Sequence, residues 1–212
     1  MSGQHRLAGN GVALVRERAL AADMQHALER VYRLDRVVDV GDFVRDAEDG
    51  RESVLLRESE DGGLEMSVQL PKLADDATLD GVCQIIEGVS HFVYLVERAR
   101  VERTATQLEL EMQAEVDKYV SSYWLMREQF PGRFPAELLN VLFERTRIDS
   151  RLARGRESLY REATRYAQKF CRRLERSLRG ARGDSGGEIL AELRRFYRLT
   201  NTRKLAHIER SA

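Results

Sequence analysis

The chain is poor in the residues and motifs that usually announce a chemistry. Its 212 residues include two cysteines, three prolines, one tryptophan and four histidines. Cys83 and Cys171 form no Cys-x-x-Cys pair and belong to no Cys/His cluster with ligand spacing, which argues against a zinc finger or a dithiol redox site. Both fall on apolar helical faces and read as core thiols. There is no Gly-x-Ser-x-Gly, no Gly-x-Gly-x-x-Gly and no His-Glu-x-x-His. The glycine-rich stretch 180–187 lacks the Lys-Ser or Lys-Thr ending of a phosphate-binding loop. These absences weigh against an enzyme, and no cofactor is implied. No apolar run approaches the ~20 residues of a membrane-spanning helix. The opening Met-Ser-Gly-Gln-His-Arg has no apolar core of a signal peptide. A cytoplasmic protein is the expectation.

What is present is charge, and it is unevenly placed. Lys+Arg and Asp+Glu number 35 each, for a net charge of zero. Residues 1–126 carry 14 basic and 24 acidic residues, whereas residues 127–212 carry 21 and 11, so the balance runs from −10 to +10. Blocks of opposite sign can attract each other within one fold, join subunits, or present a face to a charged partner.

The organising stretch is 76–126. Leu79, Val82, Ile86, Val89, Val93 and Val96 recur at spacings of three and four, which marks one helix face. Cys83, Ile85 and Phe92 widen it. The narrow polar side holds Asp80, Gln84, Glu87, His91, Tyr94 and Arg98, and so wide an apolar arc predicts a central helix covered on several sides. Asp76 or Thr78 would cap it. Thr106 followed by Glu109 is a capping-box start for a second helix. Leu108, Met112, Val116, Tyr119, Tyr123 and Met126 form its buried face, and Pro131-Gly132 ends it. The short connection predicts an antiparallel helical hairpin.

Around this pair, 11–34 reads as a helix with Leu20, Met24, Ala27, Val31 and Leu34 on one face. His26 lies at its edge; a phosphotransfer role has no other support there, and a boundary histidine is the ordinary explanation. Segments 53–58 and 64–70 flank Asp61-Gly62, a hairpin signal. They predict an antiparallel ribbon, with 37–44 as a third strand or the helices as its cover. After the break at 130–135 come a short helix with Leu138, Leu139, Leu142 and Phe143, and a basic connection over 145–156. A long helix then spans 157–178, and two further helices follow the loop at 180–187.

Three constellations stand out. Glu111 and Glu115, with Lys118 on the same flank, suit a general acid or a pair of hard-metal ligands, or else ordinary ion pairs. Glu87 and His91, four apart, could ligate a metal given further donors. The face assignment aims these two groups in different directions. Arg161, Arg165, Arg172 and Arg176 form a basic stripe suited to an anionic partner, or simply a solvated face.

The sequence therefore predicts an α+β fold, predominantly helical, with a small antiparallel β-ribbon of two or three strands on a helical bundle. An acidic part (1–129) and a basic helical part (130–212) pack as one domain or two. The leading functional expectation is a non-enzymatic protein-interaction or regulatory protein, with self-association or a protein partner. Nucleic-acid binding through the arginine-rich helix is one alternative. A metal-dependent enzyme with a carboxylate–histidine site is the other.

Overall fold

The computed structural model describes residues 14–58, 64–75, 78–144, 154–180 and 186–210. The fold is α+β and predominantly helical. Helix α1 (Val15–Tyr32) precedes a short 3-10 turn and three strands, β1 (Val44–Asp46), β2 (Ser53–Glu58) and β3 (Leu64–Leu70). Six helices follow among the described residues: α2 (Leu79–Arg100), α3 (Gln107–Gln129), α4 (Leu138–Phe143), α5 (Arg154–Gly180), α6 (Gly186–Arg198) and α7 (Asn201–Arg210). The predicted caps hold. Thr78 accepts from Gly81 N and Thr106 from Glu109 N, each at 3.2 Å, so both hairpin helices start where a hydroxyl satisfies a free N–H. Asp76, the other candidate cap, lies outside the described residues, as do the turn at 59–63, most of the 145–156 connection and residues 181–185.

The sheet corrects one expectation. Its order is β1-β3-β2; β2 pairs antiparallel with β3, but β1 pairs parallel, Val44 opposite Val68. The third strand is also shorter and later than the β-branched run at 37–40 suggests. Gln25 of α1 intercepts that run: its amide donates to Val38 O and accepts from Val40 N, both at 2.8 Å. Asp39 accepts from Gly41 N at 2.8 Å, which closes a tight turn. With those backbone groups satisfied locally, no ladder forms until Val44.

The α2–α3 hairpin is central, as its apolar spacing predicts. Ile85, Ile86, Val89 and Phe92 of α2 and Met112, Val116 and Tyr119 of α3 are buried. Among the described residues α2 alone is long and apolar enough to span a membrane, although no unbroken apolar run of that length exists. In the fold it is covered by α1, α3 and the sheet. The apolar core runs from Leu14 to Ile208 and takes residues from both the acidic and the basic parts. A ring stack joins them, Tyr32 on Tyr197 at 4.1 Å between centroids, and a second, Phe170 on Phe196 at 4.0 Å, ties α5 to α6 within the basic part.

The narrow polar side of α2 is exposed at Asp80 and half-buried at Gln84 and Glu87, but its C-terminal half turns inward: His91, Tyr94 and Arg98 are buried. Arg98 donates to Glu109 at 2.8 Å and to Leu199 O at 2.9 Å, tying α2 to α3 and to the loop before α7. Deeper, Asp117 accepts from Ser90 at 2.5 Å, from Gln113 at 3.0 Å and from the Tyr32 hydroxyl. Lys204 of α7 is wholly buried. Its ammonium donates to Gln113 Oε1 at 2.6 Å and lies 4.8 Å and 4.7 Å from the ring centroids of Tyr94 and Phe196. Burial pulls its pKa down to about 7 and pushes that of Asp117 up to about 6. A polar seam thus runs through the middle of a mostly apolar bundle, with its groups hydrogen-bonded to one another.

Candidate metal centre

The geometry of the site begins with a glycine. Gly88 sits in the interior of α2, where glycine costs about 1 kcal/mol relative to alanine. A Cβ there would meet Leu70 Cδ2 at 2.9 Å, Glu52 Cγ at 3.0 Å and Val68 Cγ1 at 3.2 Å. The missing side chain lets α2 lie directly on β3. That contact carries Glu52, the residue before β2, onto the helix surface beside His91. The backbone N–H of Glu52 donates to Gln84 Oε1 at 3.3 Å, which also fixes the approach.

Glu87 and His91 lie one turn apart on α2, and Glu111 and Glu115 one turn apart on the facing part of α3. The hairpin brings all four together with Lys118, so the expectation that the two pairs aim differently is corrected. Each pair sits on the flank of its helix that borders the interhelical seam, and an antiparallel crossing makes those flanks adjacent. One ligand atom each from Glu87, His91 and Glu111 lies within 4.8 Å of the others.

His91 is held at one nitrogen and open at the other. Nδ1 lies 3.3 Å from Glu52 Oε1. Nε2 is buried without a hydrogen-bond partner, 3.6 Å from Glu111 Oε2, a charge contact longer than a hydrogen bond. Glu111 in turn accepts from Gln107 Nε2 at 3.2 Å, and the hydroxyl of Tyr160 on α5 lies within electrostatic reach of it. Lys118 Nζ donates to Glu87 Oε2 at 3.0 Å and to Glu115 Oε1 at 2.9 Å.

Electrostatics follow from this crowding. Burial disfavours the imidazolium of His91, but contacts with Glu111 and Glu52 outweigh it and raise its pKa well above the ordinary value. Burial likewise opposes charge on Lys118, yet Glu87 and Glu115 hold its pKa well above the usual lysine range. Burial raises Glu52 despite His91, and raises Glu115 despite Lys118. For Glu111 the balance is reversed. Burial pushes it up, but His91, Gln107 and Tyr160 together bring it below the carboxylate norm.

The arginines behave otherwise. Arg161, Arg165, Arg172 and Arg176 are exposed along α5. Arg161 pairs with Glu157 one turn away at 2.5 Å, Arg172 with Glu144 at 2.8 Å, and Arg165 lies 4.4 Å from the Tyr166 ring centroid. Among the described residues the stripe is a solvent-facing surface, and its ion-pair partners come from the basic part.

Two site residues escape sequence reading, Glu52 and Tyr160. Glu52 sits among other acids in a loop, and only the glycine in mid-α2 signals that something approaches there. Tyr160, half-buried on α5, is brought beside Glu111 only by the packing of α5 on the hairpin. Comparison of the chain with protein-family models, with curated proteins and with solved structures finds no match.

Proposed function

We propose that this protein binds a divalent metal ion through Glu87, His91 and Glu111 and that the ion serves chemistry on a substrate entering beside Tyr160. The observation that carries this reading is the two-sided environment of His91. Metal-ligating histidines commonly donate their second ring N–H to a carboxylate, which fixes the tautomer and leaves the other nitrogen for the metal. Glu52 at Nδ1 supplies that partner, while Nε2 is buried, without a hydrogen bond, and pointed toward Glu111. A buried nitrogen held only by a 3.6 Å charge contact lacks a hydrogen bond, and an ion between it and the two carboxylates would satisfy it.

Two carboxylates and one imidazole are a donor set for manganese, iron or zinc rather than for copper(I) or an iron–sulfur cluster. Three protein ligands leave a coordination position for water or substrate, as catalytic sites do. The reaction class this favours is metal-assisted hydrolysis, in which the ion lowers the pKa of bound water and polarises the substrate. Glu115, half-buried and shifted toward protonation, is the nearby acid–base candidate.

The test is direct. Chelator-treated protein is titrated with Mn²⁺ and Zn²⁺ by calorimetry, alongside His91→Ala and Glu111→Gln. Stoichiometric binding by the wild type that both variants lose supports the reading. No binding, or binding indifferent to both substitutions, ends it.

A second role rests on a separate observation, the exposure of the α5 arginines. An anionic face built from Asp and Glu of a partner protein would match them, with charge governing orientation and association rate. Retention of nucleic acid at low salt would point to a phosphate backbone as the partner instead.

A further inference from the structure

The metal reading leaves one group unexplained. Lys118 is nearly buried, and its ammonium stands between Glu87 and Glu115, 3.0 Å and 2.9 Å from their oxygens. Glu87 therefore belongs to two constellations at once. It offers a ligand atom to the cluster with His91 and Glu111, and it shares Lys118 with Glu115. A carboxylate that serves two adjacent cation positions is the bridging element of dinuclear sites, whose ions lie about 3.5–4 Å apart.

We propose that the ammonium of Lys118 occupies the second cation position of a carboxylate-bridged centre, so that the native protein holds one divalent ion and removal of the ammonium opens a site for another. This rests on the metal reading above.

Charge supports it. Glu52, Glu87, Glu111 and Glu115 bring up to four negative charges into a mostly enclosed space. One divalent ion and one ammonium leave a single negative charge. Two divalent ions would neutralise the set. Geometry supports it too. The oxygens around Nζ are at hydrogen-bond distance, so each has to close by somewhat under 1 Å to reach a metal at about 2.0–2.2 Å. The half-buried thiol of Cys83, one turn before Glu87 and within electrostatic reach of Lys118, Glu115 and Glu87, borders the same position. A covalently tethered cation differs from a second ion in being permanent. It cannot be lost to a chelator, and it holds Glu87 in place for the first ion. Lys118 is thus a positioning residue.

The experiment reads metal number and coupling. Metal-free wild type, Lys118→Met and Lys118→Gln are saturated with Mn²⁺, and bound ions are counted and followed by electron paramagnetic resonance. One ion with an isolated six-line spectrum is expected for the wild type. Two ions with an exchange-coupled spectrum are expected for both variants. One ion in the variants, or two in the wild type, overturns the proposal while leaving the metal reading intact; none in the wild type removes the metal reading itself. Should the variants fail to fold, wild type labelled with ¹⁵N at lysine Nζ decides. The Lys118 ammonium signal, slow to exchange with water, persists on Zn²⁺ loading if the proposal is right and is lost if zinc displaces the side chain.

Discussion

Gly88 of α2 rests directly on Leu70 of β3, so close that a Cβ at Gly88 would stand 2.9 Å from Leu70 Cδ2. The same missing side chain leaves room for Glu52, which reaches His91 across the glycine. One residue without a side chain thereby joins the sheet to a helical hairpin.

Gly88→Ala separates backbone propensity from packing. Alanine gains about 1 kcal/mol of helix propensity, while overpacking typically costs about 1–3 kcal/mol. The expected outcome is a net loss of about 1 kcal/mol in urea unfolding. A drop of about tenfold or more in Mn²⁺ affinity should accompany it, because Glu52 is pushed off His91. A more stable variant with unchanged metal affinity would show that the contact does not set the site.

Glu52→Gln and His91→Ala should differ in degree. Loss of an outer carboxylate partner typically costs about 10–100-fold in metal affinity. Loss of the ligand itself should abolish stoichiometric binding. Calorimetric titration of both variants checks the order. Equal effects would mean that Glu52 is itself a ligand.

Lys204 makes stability depend on pH in a defined window. Its pKa falls to about 7 in the folded protein, against about 10.4 when unfolded. Between these values the unfolded chain binds the extra proton, so this group's contribution to stability rises from pH 7 to about 10. His91 works in the opposite sense: its raised pKa gives stability that is complete below about 6.5 and lost as pH rises through its folded value. Asp117, raised to about 6, contributes a fall in stability between about pH 4 and 6. The clean readout is therefore the difference between wild type and Lys204→Met in metal-free protein. The variant should be relatively most stabilised at pH 7 and below, and its advantage should shrink toward pH 10. An advantage independent of pH would mean that the lysine is not desolvated as the structure shows.

Reversing the exposed arginines tests a surface. Arg161→Glu and Arg172→Glu each remove one solvent-exposed pair, with Glu157 and Glu144 respectively. Such pairs are worth about 0–1 kcal/mol, so the double variant should unfold within about 1–2 kcal/mol of the wild type. Binding of an acidic partner protein should be lost and its salt dependence flattened. A large loss of stability would instead assign these side chains a structural role.

What the sequence by itself determined is whatever depends on neighbours along the chain. The period of Val82, Ile86, Val89 and Val93 placed the central helix, the Thr106–Glu109 box placed the start of the next, and Pro131-Gly132 placed its end. Local hydrogen bonding and a 3.6-residue repeat are enough for these. The glutamates and His91 were visible as pairs for the same reason, since residues four apart share a helix flank. Only the tertiary structure decided that the pairs meet, because the rotation of α2 against α3 is set by packing. It also kept 37–40 out of the sheet, because Gln25 of α1 claims the backbone at Val38 and Val40. And it made His91, Arg98 and Lys204 interior residues. A polar side chain is read as exposed from sequence unless its partners are known, and here Glu52, Glu109 and Gln113 come from other elements, brought within hydrogen-bond reach by the fold.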